Sequence, residues 1–382
     1  MSSLTKLRYD YFNKIAKSIA SQDAQFIIVT HILFDRPEFL QAIKSIANIS
    51  LIVAIPYSLN QQAYQNLNSI YPIITPTLEE LSNPEYLLKN TVPKLDLAKP
   101  VIILEIGGYY AQVIKRLVKE FNVNLLGVVE DTEIGHREYE KLDHKNFPCP
   151  VISVARSSLK RAEDFLIGQA CLFSTEKLVR QTGFLIDGKS VLVTGFGKIG
   201  RGAAHALARR RCHVSVYDID PAKRIEAISE GFLIPDKKET LKKADMIFGT
   251  TGKQSINAED FKYIKNGALL VSCSSKNVEF DLTYLKANYT ATPVFEHYVK
   301  YENENNFVYL LADGRPINFL DGSALGPVLA LVQSEIIFAI NEVITLNNEG
   351  KRGLFELSHK GRTILADEWI KHFCNPITGH YS

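Results

Sequence analysis

The chain has 382 residues, 46% of them hydrophobic and 23% charged, so it is long enough and apolar enough to bury the cores of two domains. Its 44 lysines and arginines stand against 42 aspartates and glutamates, and the two signs are mixed along the sequence. This balance excludes the strongly basic surface that binds nucleic acid or anionic lipid, so we expect a small-molecule partner and neither nucleic acid nor membrane.

The cysteines and the N-terminal segment indicate a cytoplasmic protein. The five cysteines are widely spaced and form no C-x-x-C pair, which predicts reduced thiols and no metal site. Residues 1–11 contain no apolar signal region. The longest apolar stretch, residues 324–340, is interrupted by Gln333, Ser334 and Glu335, so we predict a buried helix there instead of a membrane span.

The predicted elements begin with an alternation of apolar runs and polar helical stretches over residues 1–150. Four short apolar runs are typical of buried parallel strands: residues 26–30, 51–55, 101–105 and 125–130. Residues 36–47 and 109–121 carry apolar side chains at helical spacing, as crossover helices between such strands require. The first part of the chain is therefore predicted to be an α/β domain.

A second α/β series follows a predicted hinge region. The amphipathic stretch 157–181 precedes Asp187-Gly188, whose turn chemistry leads into an apolar run from Ser190. The predicted strands of this series are residues 191–194, 213–217, 246–250 and 268–272, with 309–312 as a further candidate. The sequence thus predicts a second sheet of the same class.

A glycine-rich turn lies between the first strand and the first helix of the second series. Gly195, Gly197 and Gly200 have the spacing G-x-G-x-x-G, after the apolar run 191–193 and before the helical stretch 201–211. The first glycine permits a tight turn, the second lets a pyrophosphate approach the backbone, and the third lets the helix pack closely. Since the helix N-terminus also stabilises phosphates, we predict a Rossmann-type doubly wound sheet that binds a dinucleotide.

An acidic residue follows the next predicted strand. Asp218 lies 23 residues after Gly195, where a carboxylate accepts hydrogen bonds from the adenosine ribose hydroxyls and repels a 2′-phosphate. The cofactor is therefore predicted to be NAD in preference to NADP.

Several segments between residues 101 and 343 match the motifs of one known family, in the same order. In the second series, Gly195-Phe-Gly-Lys-Ile-Gly-Arg-Gly202 corresponds to the family motif G-Y-G-x-V-G-K-G, and Asp218-Ile-Asp-Pro221 corresponds to E-I-D-P. Further along, Thr250-Thr251-Gly252 corresponds to T-T-G, and Val278-Glu-Phe-Asp281 to V-E-I-D. The last segment, Leu310-Leu-Ala-Asp-Gly-Arg315 with Asn318, corresponds to L-L-A-E-G-R-x-x-N. Upstream they are Glu130-Asp131-Thr132 with Gly135 for E-E-T-T-T-G, and Lys160-x-x-x-Asp164 for K-S-K-F-D-N. The chain thus resembles the S-adenosylhomocysteine hydrolase family, whose NAD-containing members split adenosylhomocysteine into adenosine and homocysteine.

The resemblance implies a domain plan and a fuller cofactor site. Besides the three glycines and Asp218, the residues implied to contact NAD are Lys198, Ile199, Thr132, Thr250, Thr251, Gly252 and Asn318. The implied domains are an NAD-binding domain at residues 161–323, a substrate-binding α/β domain from residues 1–160 with 324–352, and a C-terminal tail at 353–382. Gly379-His380-Tyr381 resembles the family's D-H-Y, which reaches a neighbouring subunit's NAD, so we expect a homo-oligomer.

The family chemistry begins when NAD oxidises a ribose 3′-hydroxyl; the ketone then permits elimination of the 5′ substituent and addition of water. The residues implied to hold the diol and accept its proton are Lys160, Asp164 and Asp131, and a lysine can do so only if its pKa is lowered. The alternative for Lys160 and Asp164, spaced i to i+4, is an ordinary exposed helix pair. His31 matches a catalytic histidine of the family, and its alternative is a buried structural histidine.

Other positions depart from the family pattern. Leu33 replaces a threonine, Asp35 a glutamate, and Ile106 an aspartate that takes part in proton transfer. Ser275 and Pro327 stand where the family has histidines. Contacts to adenine and to the 5′ position are thus altered, whereas those implied for NAD and for a vicinal diol remain.

We therefore predict an NAD-dependent enzyme of hydrolase or oxidoreductase type, which oxidises a ribose-like hydroxyl of a nucleoside or sugar derivative other than adenosylhomocysteine. One alternative is an NAD-binding pseudoenzyme or regulatory protein that has lost hydrolase activity. A second is a 2-hydroxyacid dehydrogenase, which would need an arginine just after the strand ending at Ser272, and residues 273–277 contain none.

Overall fold

Two seven-stranded sheets organise the chain, and each lies in a separate compact unit. The computed structural model describes residues 3–143, 147–274, 278–323 and 325–374. Unit 1 comprises the residues up to Lys160 together with those from Gly326 onward, and unit 2 comprises Arg161–Leu325. Unit 1 is therefore assembled from two separate parts of the sequence.

Strands and helices alternate along most of both units. In chain order the strands are β1 (Gln25–Ile32), β2 (Asn48–Leu59), β3 (Ile73–Ile74), β4 (Val101–Glu105), β5 (Leu125–Glu130), β6 (Pro150–Ser153), β7 (Ser190–Thr194), β8 (His213–Tyr217), β9 (Met246–Gly249), β10 (Ala268–Ser272), β11 (Thr290–Phe295), β12 (Tyr298–Glu302), β13 (Phe307–Leu311) and β14 (Gly353–Glu356). Each apolar run that predicted a strand overlaps one of these strands, which confirms the predicted α/β class.

Helices are also present in both units. In chain order they are α1 (Ser3–Lys17), α2 (Arg36–Ile46), α3 (Gln61–Asn68), α4 (Leu78–Leu81), α5 (Pro84–Thr91), α6 (Ile114–Phe121), α7 (Glu133–Glu140), α8 (Lys160–Val179), α9 (Lys198–Arg209), α10 (Pro221–Ser229), α11 (Lys237–Leu241), α12 (Leu282–Asn288), α13 (Val328–Asn348) and α14 (His359–Phe373). Short 3₁₀ segments lie at Val92–Lys94, Arg180–Thr182, Asp260–Tyr263, Ala312–Gly314 and Ile317–Asp321.

The sheet of unit 1 is parallel throughout, with the strand order β14-β6-β5-β4-β1-β2-β3. The strands β1 and β4 are mostly apolar and almost entirely buried, as a parallel sheet covered by helices requires. Because parallel strands end at the same edge, the residues at and after Glu105, Glu130 and Ser153 lie together at the carboxyl edge of this sheet.

The sheet of unit 2 has the order β11-β12-β13-β10-β9-β7-β8. Its strands are parallel from β13 to β8, while β11 and β12 form an antiparallel hairpin beside β13. The sequence patterns did not predict this hairpin, because β11 is mostly exposed and carries no alternation of buried and exposed residues. Strand β7, which precedes the glycine turn, lies between β8 and β9 in the interior of the sheet.

The expectation of a separate C-terminal tail is wrong for residues 353–373. Strand β14 pairs with β6 at the edge of the unit 1 sheet, and α14 packs on α13 and α1. The indole Nε1 of Trp369 on α14 donates a hydrogen bond to the carbonyl oxygen of Pro327 at 2.8 Å. The burial of apolar side chains along α14 explains why this segment folds onto unit 1. Gly379, His380 and Tyr381 lie outside the described residues, so the homo-oligomer stays a prediction.

Helix α13 is the helix expected from the apolar stretch 324–340. Its length and composition would suffice to cross a membrane, but most of its apolar part is buried inside the protein. It packs on β5 and β6, and its polar residues Gln333, Ser334 and Glu335 are buried as well. These contacts are those of a core helix, and they place three buried polar groups inside unit 1.

Candidate functional site

The residues proposed from the sequence fall into both units. Lys160, Asp131, His31 and Thr132 belong to unit 1. Asp164 and the remaining cofactor residues belong to unit 2: Gly195, Gly197, Lys198, Ile199, Gly200, Asp218, Thr250, Thr251, Gly252 and Asn318. Within the described ranges, no group of three or more histidine, cysteine, aspartate or glutamate side chains is placed to hold a metal ion.

The glycine turn connects β7 to α9 in unit 2, as its spacing predicts. Gly195 has a φ of +92°, and a Cβ there would lie 2.9 Å from Oγ1 of Thr250. A Cβ on Gly200 would overlap the carbonyl oxygen of Gly195. A Cβ on Gly197, by contrast, would meet no atom of the described residues within 4 Å. The first and third glycines are thus required by packing, and the second faces open space at the N-terminus of α9, where a pyrophosphate fits.

Asp218 is held against this turn from the end of β8. One of its carboxylate oxygens, Oδ2, accepts a hydrogen bond from the backbone N–H of Phe196 at 2.7 Å. The other oxygen accepts one from the backbone N–H of Asp220 at 2.9 Å. Each carboxylate oxygen retains a further lone pair, so Asp218 can bind ribose hydroxyls while it fixes the turn.

Replacing Asp218 by alanine should weaken NAD binding by ~1.5 to 3 kcal/mol, or roughly 10- to 150-fold in affinity, because charge-assisted hydrogen bonds are lost. The preference for NAD over NADP should narrow in the same variant, since the charge that repels a 2′-phosphate is removed. Calorimetric titration with each nucleotide measures both effects. Asp220→Ala, which removes only the N-cap of α10, is the matched control. An unchanged ratio of the two affinities would show that another residue selects the ribose.

A buried glutamate that was not predicted as a site residue positions the Thr250-Thr251-Gly252 loop. The carboxylate of Glu279 accepts hydrogen bonds from the backbone N–H groups of Thr251 and Gly252, both at 2.7 Å. It also accepts bonds from the hydroxyls of Thr251, at 2.9 Å, and Ser274. Glu279 therefore acts as the scaffold of this loop, and only the motif that contains it hinted at a role.

Asn318 supplies an unpartnered polar atom in unit 2. The residue is buried, and its Nδ2 donates a hydrogen bond to Oγ of Ser323 at 2.9 Å. Its Oδ1 is buried with no hydrogen-bond partner among the described residues. Leaving such an oxygen unpaired costs ~1 to 3 kcal/mol, so it favours a ligand that brings a donor. NAD carries an amide donor of this kind on its nicotinamide, and the residues present therefore fit the cofactor.

Lys198 and Asp164 form an ion pair in unit 2, with Nζ and Oδ2 3.0 Å apart. The lysine is the first residue of α9 and the aspartate lies in the first turns of α8. The two helices cross closely, since a Cβ on Gly202 would overlap the backbone of Phe165. The side chain of Ile199 packs against the unit 2 core, so any contact it makes with a cofactor would come from its backbone.

Lys160 and Asp131 form the second ion pair, in unit 1, with Nζ and Oδ1 2.8 Å apart. Only 8% of the lysine side chain and 13% of the aspartate side chain are exposed. Lys160 and Asp164 are both buried and each pairs with another residue, so the alternative of an exposed helix pair is wrong. The structure thus brings together two of the four residues implied for catalysis.

Thr132, implied as a cofactor contact, caps helix α7 in unit 1. Its hydroxyl accepts a hydrogen bond from the backbone N–H of Gly135 at 3.0 Å. The same hydroxyl donates to Oε1 of Glu130 at 2.7 Å. A contact between Thr132 and NAD therefore stays a prediction.

Glu130 and Glu105 form a buried carboxyl pair at the carboxyl edge of unit 1, where the register of β4 and β5 places them side by side. Glu130 accepts hydrogen bonds from the backbone N–H groups of Gly107 and Gly108, at 3.1 and 2.9 Å. Burial, and then the charge of Glu105, raise the pKa of Glu130 to about 8. Since two such carboxyls cannot both ionise without cost, the pair retains a proton at neutral pH.

His31 is a neutral group in this structure. Burial, and then the charge of Arg36, lower its pKa to about 3. Its Nδ1 is hydrogen bonded to Oγ of Ser58, and its carbonyl oxygen accepts a bond from Nε of Arg36 at 3.1 Å. His31 can therefore orient a ligand through hydrogen bonds at neutral pH but does not serve there as a charged acid.

At the described positions, the residues that depart from the family pattern are buried apolar side chains or have structural roles. The side chain of Ile106 packs into the unit 1 core, and Leu33 is buried. Pro327 precedes α13 and accepts the hydrogen bond from Trp369. Ser275 lies outside the described residues. No ionisable side chain thus occupies position 106, where the resemblance implies a proton-transfer group.

Helix α13 adds polar residues that the sequence did not predict as site residues. Glu335 is fully buried and accepts a hydrogen bond from the hydroxyl of Ser157. Burial raises its pKa to about 7, against the opposing effects of the Ser157 hydrogen bond and the charge of Lys160. Gln333 donates from Nε2 to Oδ2 of Asp35 at 2.8 Å. The signal that could have found them was the polar interruption of the apolar stretch 324–340.

Comparisons with known proteins agree with the cofactor site of unit 2. Residues 170–324 match the family described as S-adenosyl-L-homocysteine hydrolase, NAD binding domain. The match confirms NAD as the predicted cofactor.

Individual relatives extend the similarity beyond that domain. The chain is 32% identical over 249 residues to an adenosylhomocysteinase from Thermotoga maritima, covering 63% of this chain and 60% of the relative. An adenosylhomocysteinase from Thermoplasma acidophilum is 28% identical over 313 residues, covering 80% and 74%. An S-inosyl-L-homocysteine hydrolase from Methanosarcina mazei is 30% identical over 229 residues, covering 59% and 55%. The chain thus spans about 60% of the length of the first of these relatives.

Among solved structures, a dipicolinate synthase from Bacillus subtilis aligns with 86% of this protein and with 99% of its own length, at 11% identity and a TM-score of 0.48.

Proposed function

The chain belongs to the S-adenosylhomocysteine hydrolase family, with that family's NAD-binding domain in residues 170–324, and we propose that it uses NAD to oxidise a hydroxyl group of a ribose-like diol. The bound cofactor supplies the hydride acceptor. The proposed substrates are nucleoside or sugar derivatives. The observation that carries the proposal is the buried ion pair between Lys160 and Asp131 in unit 1.

Lys160 and Asp131 suit two neighbouring hydroxyl groups. The carboxylate of Asp131 can accept a hydrogen bond from one hydroxyl, and a neutral Lys160 can take the proton of the other as its carbon is oxidised. Because Asp131 favours the ammonium form of Lys160, a diol that engages Asp131 weakens the ion pair and eases proton exchange at Nζ. The low exposure of both side chains strengthens these interactions.

The other two residues implied for catalysis receive supporting roles in the proposal. His31, which stays neutral, would orient the ligand through hydrogen bonds in unit 1. Asp164 would act from unit 2, where it holds Lys198 at the start of α9. We assign the diol to unit 1 and the cofactor to unit 2.

The elimination of a 5′ substituent is not part of the proposed reaction. Ile106 is packed in the apolar core of unit 1, and Leu33 offers no hydroxyl, so two polar contacts implied by the family are absent. The nearby carboxyls Glu105 and Glu130 are engaged by backbone N–H groups. We therefore propose that oxidation of a diol persists without release of homocysteine.

The test combines a cofactor assay with a product assay. The purified protein is denatured to identify its nucleotide, and the native protein is then mixed with nucleosides and sugar diols while NADH absorbance is followed. We expect NADH with at least one diol, none with its deoxy analogue, and very slow thiol release from adenosylhomocysteine. Rapid homocysteine release would overturn the divergence from the family reaction.

The same assay separates the enzyme from the pseudoenzyme alternative. The observation that motivates this alternative is the loss of the family's polar residues at Leu33 and Ile106. A protein that retains NAD but forms NADH with no member of the diol panel would support a binding or regulatory role.

A further inference from the structure

Glu335 is a carboxyl group on the core helix α13 that the proposed reaction leaves without a role. It is fully buried, and its Oε1 accepts the hydrogen bond from Ser157. Its Oε2 is also buried and has no hydrogen-bond partner among the described residues. Ser157 lies three residues before Lys160, at the point where the chain passes from β6 to α8. The carboxyl therefore lies beside the segment that leads into Lys160, with one oxygen that needs a proton or a donor.

Titratable groups on three other helices and at the end of β5 interact with Glu335. Lys160 at the start of α8 and Arg362 on α14 favour its ionised form, and Asp131 after β5 opposes it. Tyr11 on α1 also interacts with Glu335, and its hydroxyl is hydrogen bonded to Ser334. Because Lys160 and Asp131 already form an ion pair, Glu335 is the third ionisable member of one cluster.

We propose that Glu335 is a positioning residue that acts through Lys160, controlling the fraction of Lys160 that is neutral and able to accept the substrate proton. The inference rests on the proposed role of Lys160 as the base. When Glu335 carries a proton, its charge no longer favours the ammonium form of Lys160. When Glu335 ionises, its negative charge draws a proton back onto Lys160.

The proton balance of this arrangement is simple. Each group exchanges its own proton, and the charge of one changes the proton affinity of the other without any transfer of electrons. Without Glu335, the neutral fraction of Lys160 would rise steadily with pH. With Glu335, the negative charge that forms as its carboxyl ionises offsets that rise. The neutral fraction of Lys160 therefore levels off over the pH range in which Glu335 ionises, and it rises again only above that range.

The direct test follows the proton occupancy of Lys160 without any substrate. Lysine side chains are labelled with ¹³C at Cε, Lys160→Arg assigns the signal, and its titration is followed by NMR. In Glu335→Gln the midpoint should move down by about one pH unit, the size of effect that a nearby charge exerts. Glu335→Asp should restore it. An unmoved midpoint in folded Glu335→Gln would overturn the inference.

Glu349→Gln is the matched control at the end of the same helix, since Glu349 is exposed and pairs with Lys351 at 2.7 Å. If Glu335→Gln fails to fold, Ser157→Ala provides the second test. Loss of the Ser157 hydrogen bond should raise the pKa of Glu335, which infrared spectroscopy of the carboxyl measures. The pH range in which the Lys160 titration levels off should move up with it. A carboxyl that moves while the Lys160 titration stays unchanged would contradict the inference.

The kinetic test uses NADH formation in a single turnover. The wild-type rate should level off near neutral pH, whereas that of Glu335→Gln should continue to rise and become about tenfold faster at alkaline pH. A purely structural residue would change the rate without changing the shape of the profile. If the wild type never forms NADH, the proposed function fails, while the NMR titration still decides whether Glu335 controls Lys160.

Discussion

Replacing Gly197 by valine should abolish NAD binding while leaving unit 2 folded. A Cβ at this position would meet no atom within 4 Å in the part of the chain that the structure describes, so the side chain can be accommodated in the absence of ligand. The same space is where the glycine turn would receive the pyrophosphate at the N-terminus of α9. We expect the affinity for NAD to fall by at least about 100-fold, or roughly 3 kcal/mol.

Calorimetric titration and thermal unfolding measure the two parts of this prediction separately. Gly200→Ala is the contrasting variant, because its Cβ would overlap the carbonyl oxygen of Gly195 and disturb the turn itself. It should lower both the melting temperature and the affinity. Full NAD occupancy in Gly197→Val would remove this turn from the cofactor site.

Replacing Lys160 by alanine should slow the reduction of bound NAD by ~10²- to 10⁴-fold, the usual contribution of a general acid or base. Removal of the ammonium group also leaves Asp131 mostly buried without its ion-pair partner. Some loss of unit 1 stability is therefore expected alongside the loss of activity. Stopped-flow absorbance with an active diol measures the rate, and chemical denaturation measures the stability.

Lys160→Arg separates the charge of this residue from its proton transfer. Arginine can keep the ion pair with Asp131 but does not give up its proton, so the variant should be nearly as slow as Lys160→Ala and more stable. Lys177→Ala is the control on the same helix, since that lysine is exposed and pairs with Asp321. A rate in Lys160→Arg close to that of the wild type would exclude Lys160 as the base.

Much of the fold was predictable because its signals are local. Most of the parallel strands contain short apolar runs that are largely buried, and each run that predicted a strand overlaps an observed one. The antiparallel hairpin β11–β12 carries no such pattern, since its first strand is mostly exposed at the sheet edge. Strand β14 was missed for a different reason: it is a four-residue strand that pairs with β6, about 200 residues earlier in the chain.

The site residues also differ in whether a local sequence pattern predicts their roles. The turn from Gly195 to Gly200 and the acid at Asp218 were predictable, because the spacing of residues within one strand-turn-helix unit dictates their roles. The scaffold role of Glu279 was not, because its carboxylate meets a loop 27 to 28 residues earlier in the chain. Such a contact depends on which strands become neighbours in the sheet.

The sequence by itself determined the α/β class, the glycine turn, the choice of NAD and the identity of the polar residues, because each depends on residue type and local spacing. The tertiary structure decided which of those residues meet. It paired Lys160 with Asp131 instead of Asp164, and it buried Glu335 beside Ser157, 178 residues away in sequence. Burial and neighbouring charge set the proton occupancy of such groups, and both arise only when distant segments pack together.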